Sequence, residues 1–314
     1  MECVLYFNLR CNSMCPMCAV WTQNEKEQLD TEELKKLFAK FRHAGFLRVN
    51  FQGGEPLLRK DLLEAVEAAV SHGLKPIVIT NAIMLKPETA EALFGAGCSI
   101  IVSLDTLNPE TYRKIRGVDK LSEVFANLES AAKIAPKRKL AVNMTIHRLN
   151  AEEVEKIHDY AAKLGIGFTA YPYNYRIGIA SAYKDELVLD KKTLEEKFRF
   201  LRDEAKKKYD YHYIIYDQIL RYLGGENIGA CDGGRLSIIV DNHGNLGPCI
   251  EFKAAIPVME KNIDEALNLL DYPAIRKCYE NTPCFYGCTR SAGILSKNYL
   301  KYALCRLYTF FRRS

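Results

Sequence analysis

The sequence contains no uninterrupted apolar run long enough to cross a bilayer, and its first residues, MECVLYFNLRCN, lack the pattern of a secretory signal. We therefore expect a cytoplasmic protein, in which disulfides are disfavoured. It also lacks a strong charge of either sign, because the net charge is only +5 over 314 residues. This weak balance argues against a nucleic-acid-binding protein. A hydrophobic content of 48% excludes extended disorder and is sufficient for a large core.

Short apolar runs alternate with helical patterns over the first half of the chain. Runs of this length are typical of parallel strands that helices cover on both faces. The predicted strands are 3–9, 47–51, 75–80, 99–104, 139–146 and 167–171. Six strand-plus-helix units in succession predict an α/β barrel or a doubly wound sheet with right-handed crossovers. Ligands should then bind at the carboxyl ends of the strands.

Helix signals and a change of composition complete this outline. Asp30 and Glu33 have the spacing of a capping box, and apolar residues repeat at helical spacing over 61–72. The segment 190–208 is typical of a charged surface helix. After a predicted boundary at Gly224–Gly225, the chain turns to short strands, glycines and cysteines, with a predicted turn at Asn242–Gly247.

Cysteine is abundant, with eleven residues placed unevenly along the chain. Cys3 and Cys98 stand apart in apolar runs and are predicted to be small core residues. Cys11, Cys15 and Cys18 form a C-x3-C-x2-C group directly after the first predicted strand. The segment that carries these three residues is called the cysteine loop below. Structural zinc and electron-transfer clusters normally take four protein ligands, and buried thiols are a further alternative. Three thiolates on a four-iron cluster would leave one iron open for chemistry, and we favour this interpretation.

A second motif, QGGEPLLR, follows the second predicted strand. Gly53 and Gly54 allow close backbone approach and are expected to expose unpaired N–H groups. Glu55, followed by Pro56, offers an acceptor for a ligand ammonium group. A tight turn alone is the simpler interpretation, but the neighbouring cysteine loop makes a binding site the better hypothesis.

Together, these motifs resemble the radical S-adenosylmethionine (radical SAM) superfamily over about residues 3 to 180. The resemblance implies a partial (β/α)6 TIM-like barrel with a 4Fe-4S cluster on Cys11, Cys15 and Cys18. The amino and carboxylate groups of S-adenosylmethionine would chelate the open iron. Reductive cleavage of S-adenosylmethionine would then give a 5′-deoxyadenosyl radical that abstracts a hydrogen atom from the substrate. A flavodoxin or ferredoxin is the expected type of electron donor.

The resemblance also suggests residues that contact the cofactor. Glu55, with the Gly53–Gly54 backbone and adjacent Pro56, would recognise the methionine amino group. The other suggested contacts lie in the cysteine loop and after strands three and four: Met17, Thr80, Asn81, Ser103 and Asp105. Ala82 stands where the family often has glycine, and Met17 stands where an aromatic residue is common near the adenine. For Ser103 and Asp105, a polar strand end is an equal alternative.

Six further cysteines lie in the last 84 residues: Cys231, Cys249, Cys278, Cys284, Cys288 and Cys305. They resemble the SPASM/twitch extension, which holds auxiliary 4Fe-4S clusters. The resemblance divides the chain into a core barrel (1–224) and a Cys-rich auxiliary domain (225–314). The chain departs from the pattern at Ile275, which stands where a cysteine belongs. Six thiols cannot supply eight ligands, so either one cluster is complete or two clusters each keep an open iron.

The substrate is less well defined by the sequence. The segment Tyr173–Arg176, which follows strand six, and other tyrosines between the two parts of the chain are candidates for a substrate cavity, although packing is the simpler role for most of the tyrosines. His147, which follows strand five, is a candidate proton-transfer group or a structural cap. We predict a peptide or small-molecule substrate. The alternatives are cofactor biosynthesis of the molybdopterin or haem type, and a non-catalytic electron carrier.

The sequence YLKYALCRLYTFFRRS, at positions 299–314, combines apolar, aromatic and basic residues. It is predicted to pack over an auxiliary cluster anchored by Cys305. A weak contact with a membrane surface is the alternative.

Overall fold

The computed structural model describes residues 1–23, 25, 27–173, 185–250, 252–281, 284–285 and 287–311, without the side chains at 279–281, 288–289 and 308–311. Within this part of the chain, all the strands belong to one sheet. They are β1 (Glu2–Asn8), β2 (Arg48–Gly53), β3 (Lys75–Thr80), β4 (Ser99–Ser103), β5 (Leu140–Ile146), β6 (Gly167–Pro172), β7 (Ser237–Val240), β8 (Asn245–Gly247) and β9 (Ile256–Pro257).

The sheet has the order β6-β5-β4-β3-β2-β1-β7-β8-β9. Strands β1 to β6 pair in parallel with their sequence neighbours, and β7 pairs in parallel with β1. β8 and β9 then extend the sheet in antiparallel fashion. β6 and β9 are the two ends of this order and do not pair with each other. The sheet is therefore an open, partial barrel, as the family resemblance implied.

Helices connect and cover these strands. They are α1 (Val20–Gln23), α2 (Thr31–His43), α3 (Leu62–Ser71), α4 (Pro87–Gly95), α5 (Pro109–Arg116), α6 (Leu121–Ile134), α7 (Val154–Lys163), α8 (Lys191–Lys207), α9 (His212–Leu223), α10 (Ile263–Asn268), α11 (Tyr272–Asn281), α12 (Gly287–Lys297) and α13 (Tyr299–Phe311). Each of the crossovers after β1, β2, β3 and β5 uses at least one helix, while the crossover after β4 uses two.

The core lies between the sheet and these helices. Phe7 of β1 and Phe51 of β2 pack edge-to-face with ring centroids 5.2 Å apart, and Phe38 of α2 contacts Phe51 at 6.0 Å. All three side chains are essentially buried. At the start of α2, Asp30 and Glu33 form the predicted capping box, in which each side chain accepts a hydrogen bond from the other's backbone N–H.

The six barrel strands agree with the predicted runs to within two residues at either end, and the predicted helices over 61–72 and 190–208 correspond to α3 and α8. α8 is amphipathic rather than wholly exposed, since Leu194, Phe198 and Leu201 lie buried on one face. No helix among the described residues is long and apolar enough to cross a membrane.

Candidate functional site

The functional candidates follow the carboxyl ends of adjacent parallel strands. The cysteine loop follows β1, the Gly-Gly-Glu-Pro segment ends β2, and Thr80 ends β3. Ser103 ends β4, with Asp105 two residues later, and His147 follows β5. The parallel pairing of these strands brings all of these segments to one edge of the sheet.

The three clustered cysteines are inserted into the protein rather than displayed on its surface. Cys15 is 9% exposed, and Cys11 and Cys18 are half-buried. Burial raises the pKa of the Cys11 thiol to about 12, and the neighbouring Glu55, Cys15 and Cys18 add to this rise. Burial also raises the pKa of Cys15 and of Cys18. The three thiols therefore lie close enough to influence one another, and a bound cation would be needed to hold them as thiolates.

A single metal ion and a four-iron cluster require different spacings of their thiolate ligands. Among the described side chains, no three of the His, Cys, Asp and Glu type converge closely enough to hold a single metal ion. Ligands at about 2.3 Å from one zinc ion would lie roughly 4 Å apart. A four-iron cluster separates its thiolates further, because each thiolate binds a different iron.

The two glycines after β2 allow two stretches of backbone to touch. A Cβ atom on Gly53 would lie 2.4 Å from the Asn8 carbonyl oxygen, and one on Gly54 would lie 2.0 Å from that of Arg10. Gly54 N–H donates to Asn8 and Glu55 N–H donates to Arg10, at 2.7 and 2.8 Å. The prediction of unpaired N–H groups is therefore wrong for Gly54. The role of the Gly54 and Glu55 N–H groups in the structure is to hold the start of the cysteine loop against β2.

The Glu55 carboxylate connects the ends of β2 and β3. Its Oε1 accepts hydrogen bonds from Thr80 Oγ1 at 2.7 Å and Leu57 N at 3.1 Å, and its Oε2 accepts from Asn81 N at 2.7 Å. Asn81 Nδ2 donates in turn to Asn12 Oδ1 and Ser13 Oγ in the cysteine loop. Burial raises the pKa of Glu55, and these hydrogen bonds act in the opposite direction. Glu55, Thr80 and Asn81 thus form one network that supports the loop.

An arginine that the sequence did not point to lies beside Cys15. Arg116 Nη1 is 4.0 Å from Cys15 Sγ, and its Nη2 is 2.5 Å from Asp105 Oδ2. The Arg116 side chain is 12% exposed and that of Asp105 is 4% exposed, so the ion pair is well shielded from water. Asp105 Oδ1 accepts a hydrogen bond from Thr145 N, and Nη2 of Arg116 also donates to the Ser103 carbonyl. Both carboxylate oxygens of Asp105 are therefore engaged within the protein.

The end of α5 brings this arginine to the loop. Met14 N donates to the Arg116 carbonyl oxygen at 2.9 Å. The next residue, Gly117, has a φ of +69° and closes the helix in the left-handed conformation. A Cβ atom there would lie 2.5 Å from the Met14 carbonyl oxygen. This helix end contacts residues about a hundred positions earlier in the chain, which a local sequence pattern cannot show.

Three buried polar atoms close to this ion pair have no partner among the described residues: Tyr112 Oη, Arg116 Nε and His147 Nε2. His147 Nδ1 accepts a hydrogen bond from Leu149 N at 3.2 Å, which assigns the ring proton to Nε2. Burial lowers the pKa of His147 and favours its neutral form. All three atoms are potential donors, so this part of the site can receive an acceptor group.

Other sequence candidates have packing roles or lie outside the described residues. Met17 is half-buried in the cysteine loop. The Tyr173 ring packs edge-on to His147 with centroids 6.4 Å apart, and the tyrosines of α9 pack against neighbouring elements. Asn174, Tyr175 and Arg176 lie outside the described residues. Their assignment to a substrate cavity stays a prediction.

The segments that carry the second cysteine set converge around Gly234. Gly234 N donates to the Pro248 carbonyl oxygen, one residue before Cys249, and Tyr272 Oη of α11 donates to the Gly234 carbonyl oxygen. Cys231 Sγ lies 3.4 Å from Gly233 N. Arg290 of α12 donates to the carbonyl oxygens of Gly229 and Ala230, just before Cys231.

Cys305 lies against a different element, because its thiol contacts Tyr213 of α9. Cys284 is half-buried, and the side chain of Cys288 lies outside the described part of α12. None of the ten cysteines whose side chains are described forms a disulfide. The predicted turn at Asn242–Gly247 is shorter than expected, because residues 245–247 form β8 after Gly244 adopts a φ of +80°.

Comparison with known proteins identifies the family. The sequence profile of the Radical SAM superfamily matches residues 5–161, which include the cysteine loop, the Gly-Gly-Glu-Pro segment and Arg116. The chain belongs to the radical SAM superfamily. Members of this superfamily use a 4Fe-4S cluster and S-adenosylmethionine.

Curated radical SAM relatives have different activities. The chain is 31% identical over 295 residues to the GTP 3′,8-cyclase of Sulfurimonas denitrificans, a match that covers 87% of each protein. It is 29% identical over 248 residues to the PqqA peptide cyclase of Rhizobium meliloti, covering 76% of this chain and 64% of that protein. A probable GTP 3′,8-cyclase of Thermococcus kodakarensis is 36% identical over 159 residues, about half of each chain. The chain thus spans less than two thirds of the last two relatives.

Solved structures agree on the fold. Streptococcus suis SuiB bound to S-adenosylmethionine superposes with a TM-score of 0.71 at 18% identity, covering 88% of this chain and 67% of SuiB. SuiB bound to its precursor peptide SuiA gives the same TM-score and identity, with 90% and 69% coverage. Because these matches extend past residue 224, the likeness in fold includes part of the Cys-rich extension.

The residues of this site fit the cofactors of the family. Three neighbouring thiols, of which Cys15 is buried and Cys11 and Cys18 are half-buried, match the donor preference of an iron–sulfur cluster. The guanidinium of Arg116 places positive charge beside Cys15, and the unpartnered donor atoms of Tyr112 and His147 lie near the ion pair of Arg116 with Asp105. Such a set of donors suits an electron-rich cluster and a carboxylate-bearing ligand.

Proposed function

We propose that this protein is a radical SAM enzyme that cleaves S-adenosylmethionine reductively and abstracts a hydrogen atom from a peptide or small-molecule substrate. The observation that carries the proposal is the group of three neighbouring thiols, one buried and two half-buried, supported by Arg116 and the Glu55 network. When bound there, the cluster and S-adenosylmethionine would supply the 5′-deoxyadenosyl radical. An external donor such as a flavodoxin or ferredoxin would provide the electron.

In this proposal, Cys11, Cys15 and Cys18 are the cluster ligands. Glu55, Thr80 and Asn81 hold the cysteine loop at the edge of the sheet through the network described above. Glu55 Oε2 accepts a single hydrogen bond, and a carboxylate oxygen can accept two. Glu55 can therefore also receive the methionine ammonium group, as the resemblance implies.

The remaining cofactor contacts stay predictions with adjusted roles. Asp105 uses both oxygens within the protein, so we assign it the positioning of Arg116 rather than direct contact with the ribose. Ser103 lies at the same strand end, and its carbonyl oxygen also binds Arg116. Met17 and the Gly53–Pro56 segment keep the contacts predicted from the sequence.

We further propose that the C-terminal segment from about residue 225 binds at least one auxiliary 4Fe-4S cluster. The segments bearing Cys231, Cys249 and Cys278 pack around Gly234, and Arg290 anchors the helix bearing Cys288 beside them. Cys305 contacts Tyr213 on α9 instead. This arrangement favours one complete auxiliary cluster over two clusters with an open iron each, and Cys284 and Cys305 stay candidate ligands.

A peptide is the substrate class we favour. Two similar proteins act on or bind a peptide according to their names, the PqqA peptide cyclase and SuiB with its precursor peptide SuiA. The likeness to SuiB extends over 90% of this chain, including the extension. A second candidate is a nucleotide triphosphate, because the GTP 3′,8-cyclase of Sulfurimonas denitrificans matches over 87% of its length.

Cleavage of S-adenosylmethionine can be tested directly. Anaerobically reconstituted and reduced protein would be incubated with S-adenosylmethionine alone, with GTP and with candidate peptides, and 5′-deoxyadenosine would be quantified by chromatography. We expect slow release without substrate and stimulation by a peptide. Stimulation by GTP, with a new nucleotide product, would favour the second candidate.

A cysteine series provides the matched control. The Cys11→Ala/Cys15→Ala/Cys18→Ala variant should lose about four iron atoms per chain and all 5′-deoxyadenosine. Cys98→Ala, at a buried cysteine outside the site, should keep both. The proposal fails if the triple variant retains full iron content, or if the loaded wild type releases no 5′-deoxyadenosine under reducing conditions.

A further inference from the structure

One face of α13 exposes three large aliphatic side chains to solvent. Leu300, Leu304 and Leu307 are 77%, 66% and 53% exposed. Their spacing of four and three residues aligns them within one narrow stripe along the helix. Exposed leucines at single positions are ordinary, but a continuous stripe of them on one helix marks a contact surface.

The opposite face of α13 fixes the direction of this stripe. Tyr302 packs edge-to-face against Tyr211 with ring centroids 5.1 Å apart, and Cys305 is 6% exposed beside Tyr213. Tyr302 and Cys305 lie roughly on the far side of the helix from the leucine stripe. The helix is therefore docked on α9 through one face, and the stripe points away from the protein.

The stretch of sequence that carries the stripe has charges of one sign. Residues 287–314 contain six of the chain's lysines and arginines and no aspartate or glutamate, whereas the rest of the chain is almost balanced. Lys301 and Arg306 are exposed and flank the stripe on either side along the helix. A leucine stripe bordered by cations is the pattern of a helix that lies in the plane of an anionic membrane surface.

We propose that α13 docks the protein on anionic phospholipid bilayers, with its leucine stripe entering the boundary between headgroups and acyl chains. Lys301 and Arg306 then lie at the level of the lipid phosphates, and their aliphatic stems remain on the apolar side. A second copy of the chain is a poorer occupant, because a two-fold contact through this face would place two purely cationic segments against each other. The proposal does not depend on the iron–sulfur chemistry.

Sedimentation with vesicles tests this directly. The full chain, loaded with its clusters, would be mixed with phosphatidylcholine vesicles with and without phosphatidylglycerol. We expect binding only to the anionic vesicles and a loss of that binding at high salt. The Leu300→Ser/Leu304→Ser variant should bind roughly tenfold or more weakly. Lys301→Gln should bind about fivefold more weakly.

Two control variants distinguish binding through this face of α13 from non-specific adsorption to vesicles. Leu269→Ser alters a leucine that is 59% exposed outside α13, and Lys192→Gln removes an exposed charge from α8. Neither should change the bound fraction. The proposal is overturned if the wild-type protein does not bind anionic vesicles, or if the α13 variants bind them as well as the controls do. It is also overturned if the protein is a dimer that the Leu300→Ser/Leu304→Ser variant dissociates.

Discussion

At the scale of single residues, the contact between Arg116 and Cys15 has the clearest chemical consequence. A thiolate that accepts a hydrogen bond from a cation donates less electron density to its iron, which stabilises the reduced cluster. Asp105 holds the guanidinium in place at 2.5 Å, and burial of the pair preserves the interaction from screening. Arg116 is therefore a positioning and tuning residue for the proposed cluster.

We predict that Arg116→Gln lowers the midpoint potential of the cluster bound at Cys11, Cys15 and Cys18. Removing a hydrogen bond to a charged sulfur costs about 1 to 2 kcal/mol, which corresponds to roughly 40 to 90 mV for a one-electron couple. The measurement is a potentiometric titration followed by electron paramagnetic resonance. Arg116→Lys, which keeps the charge but loses the fork geometry, should give an intermediate potential.

Arg113→Gln serves as the matched control, because Arg113 lies on the same helix but is 48% exposed and pairs with Asp119. Its potential should equal that of wild type. A normal iron content in Arg116→Gln with an unchanged potential would contradict the tuning role without touching the assignment of the ligands. If the Arg113→Gln control also lost its cluster, changes on this helix would be disturbing the fold, and the measured potential would not report a specific effect of Arg116.

The contrast between Cys15 and Arg116 shows which site residues a sequence can reveal. Three cysteines in eight positions are a local pattern that needs no knowledge of the fold. Arg116 lies 101 positions after Cys15, and its contact arises only once β1 and β4 are placed in one sheet. Asp105 was visible as a polar strand end, but its partners on Arg116 and Thr145 were not.

At the scale of elements, the turn after β3 contains a residue in an unusual conformation. Ala82 has a φ of +61°, which glycine adopts readily and other residues at a cost. Thr80 Oγ1 accepts a hydrogen bond from Ala82 N, and Asn127 Nδ2 donates to the Ala82 carbonyl oxygen. These contacts hold the turn in place, and the positive φ fits the glycine that the sequence resemblance leads us to expect at this position.

We predict that Ala82→Gly changes the free energy of unfolding by less than about 1 kcal/mol. Relief of the left-handed conformation gains about 1 kcal/mol, which offsets the loss of a buried methyl group, about 0.8 kcal/mol, and much of the added entropy of the unfolded chain. The measurement is equilibrium unfolding in denaturant, with the slope checked for a change in compactness.

Ala90→Gly is the comparison, because Ala90 is equally buried but lies inside α4. That change relieves no strain and should cost about 2 kcal/mol through helix propensity and the lost methyl group. If the two variants lose the same stability, the conformation of Ala82 is not strained and the prediction is wrong.

The strands of the barrel were predictable because each is a short, nearly continuous apolar run. The helices between them differ visibly, because their apolar residues recur at helical spacing. The Asn242–Gly247 turn was less so, since Asn245 and Gly247 are common turn residues that here pair with β7 and β9. Short antiparallel strands of two or three residues carry too few positions for a pattern to form.

At the scale of the whole molecule, the Cys-rich extension continues the sheet of the barrel. β7 pairs with β1 over Glu2–Leu5 and Ser237–Val240, and these strands are buried together. Lys40 of α2 adds a second connection, because its ammonium group donates to the carbonyl oxygens of Val258, Met259 and Lys261. The change of composition near Gly224–Gly225 was visible in the sequence, but this pairing across more than 230 residues was not.

The pairing of β1 with β7 leads to a prediction about truncation. A chain ending at Gly224 would expose the edge of β1, where Cys3, Val4 and Leu5 are now at most 1% exposed. An apolar, unpaired edge strand invites association with other chains. We expect the 1–224 fragment to aggregate or to lose its cooperative thermal transition, as measured by size-exclusion chromatography and circular dichroism.

A shorter truncation distinguishes loss of the edge from loss of any C-terminal segment. A chain ending at Asn298 lacks α13 but keeps β7, β8 and β9, so β1 stays covered. It should remain monomeric and unfold in one transition at a lowered temperature, because the described contacts that it loses include the packing of Tyr302 on Tyr211 and of Cys305 on α9. A monomeric, cooperatively folded 1–224 fragment would show that the proposed barrel is an independent folding unit. The physical reason for expecting otherwise is that the central position of β1 in the sheet requires a strand on each side.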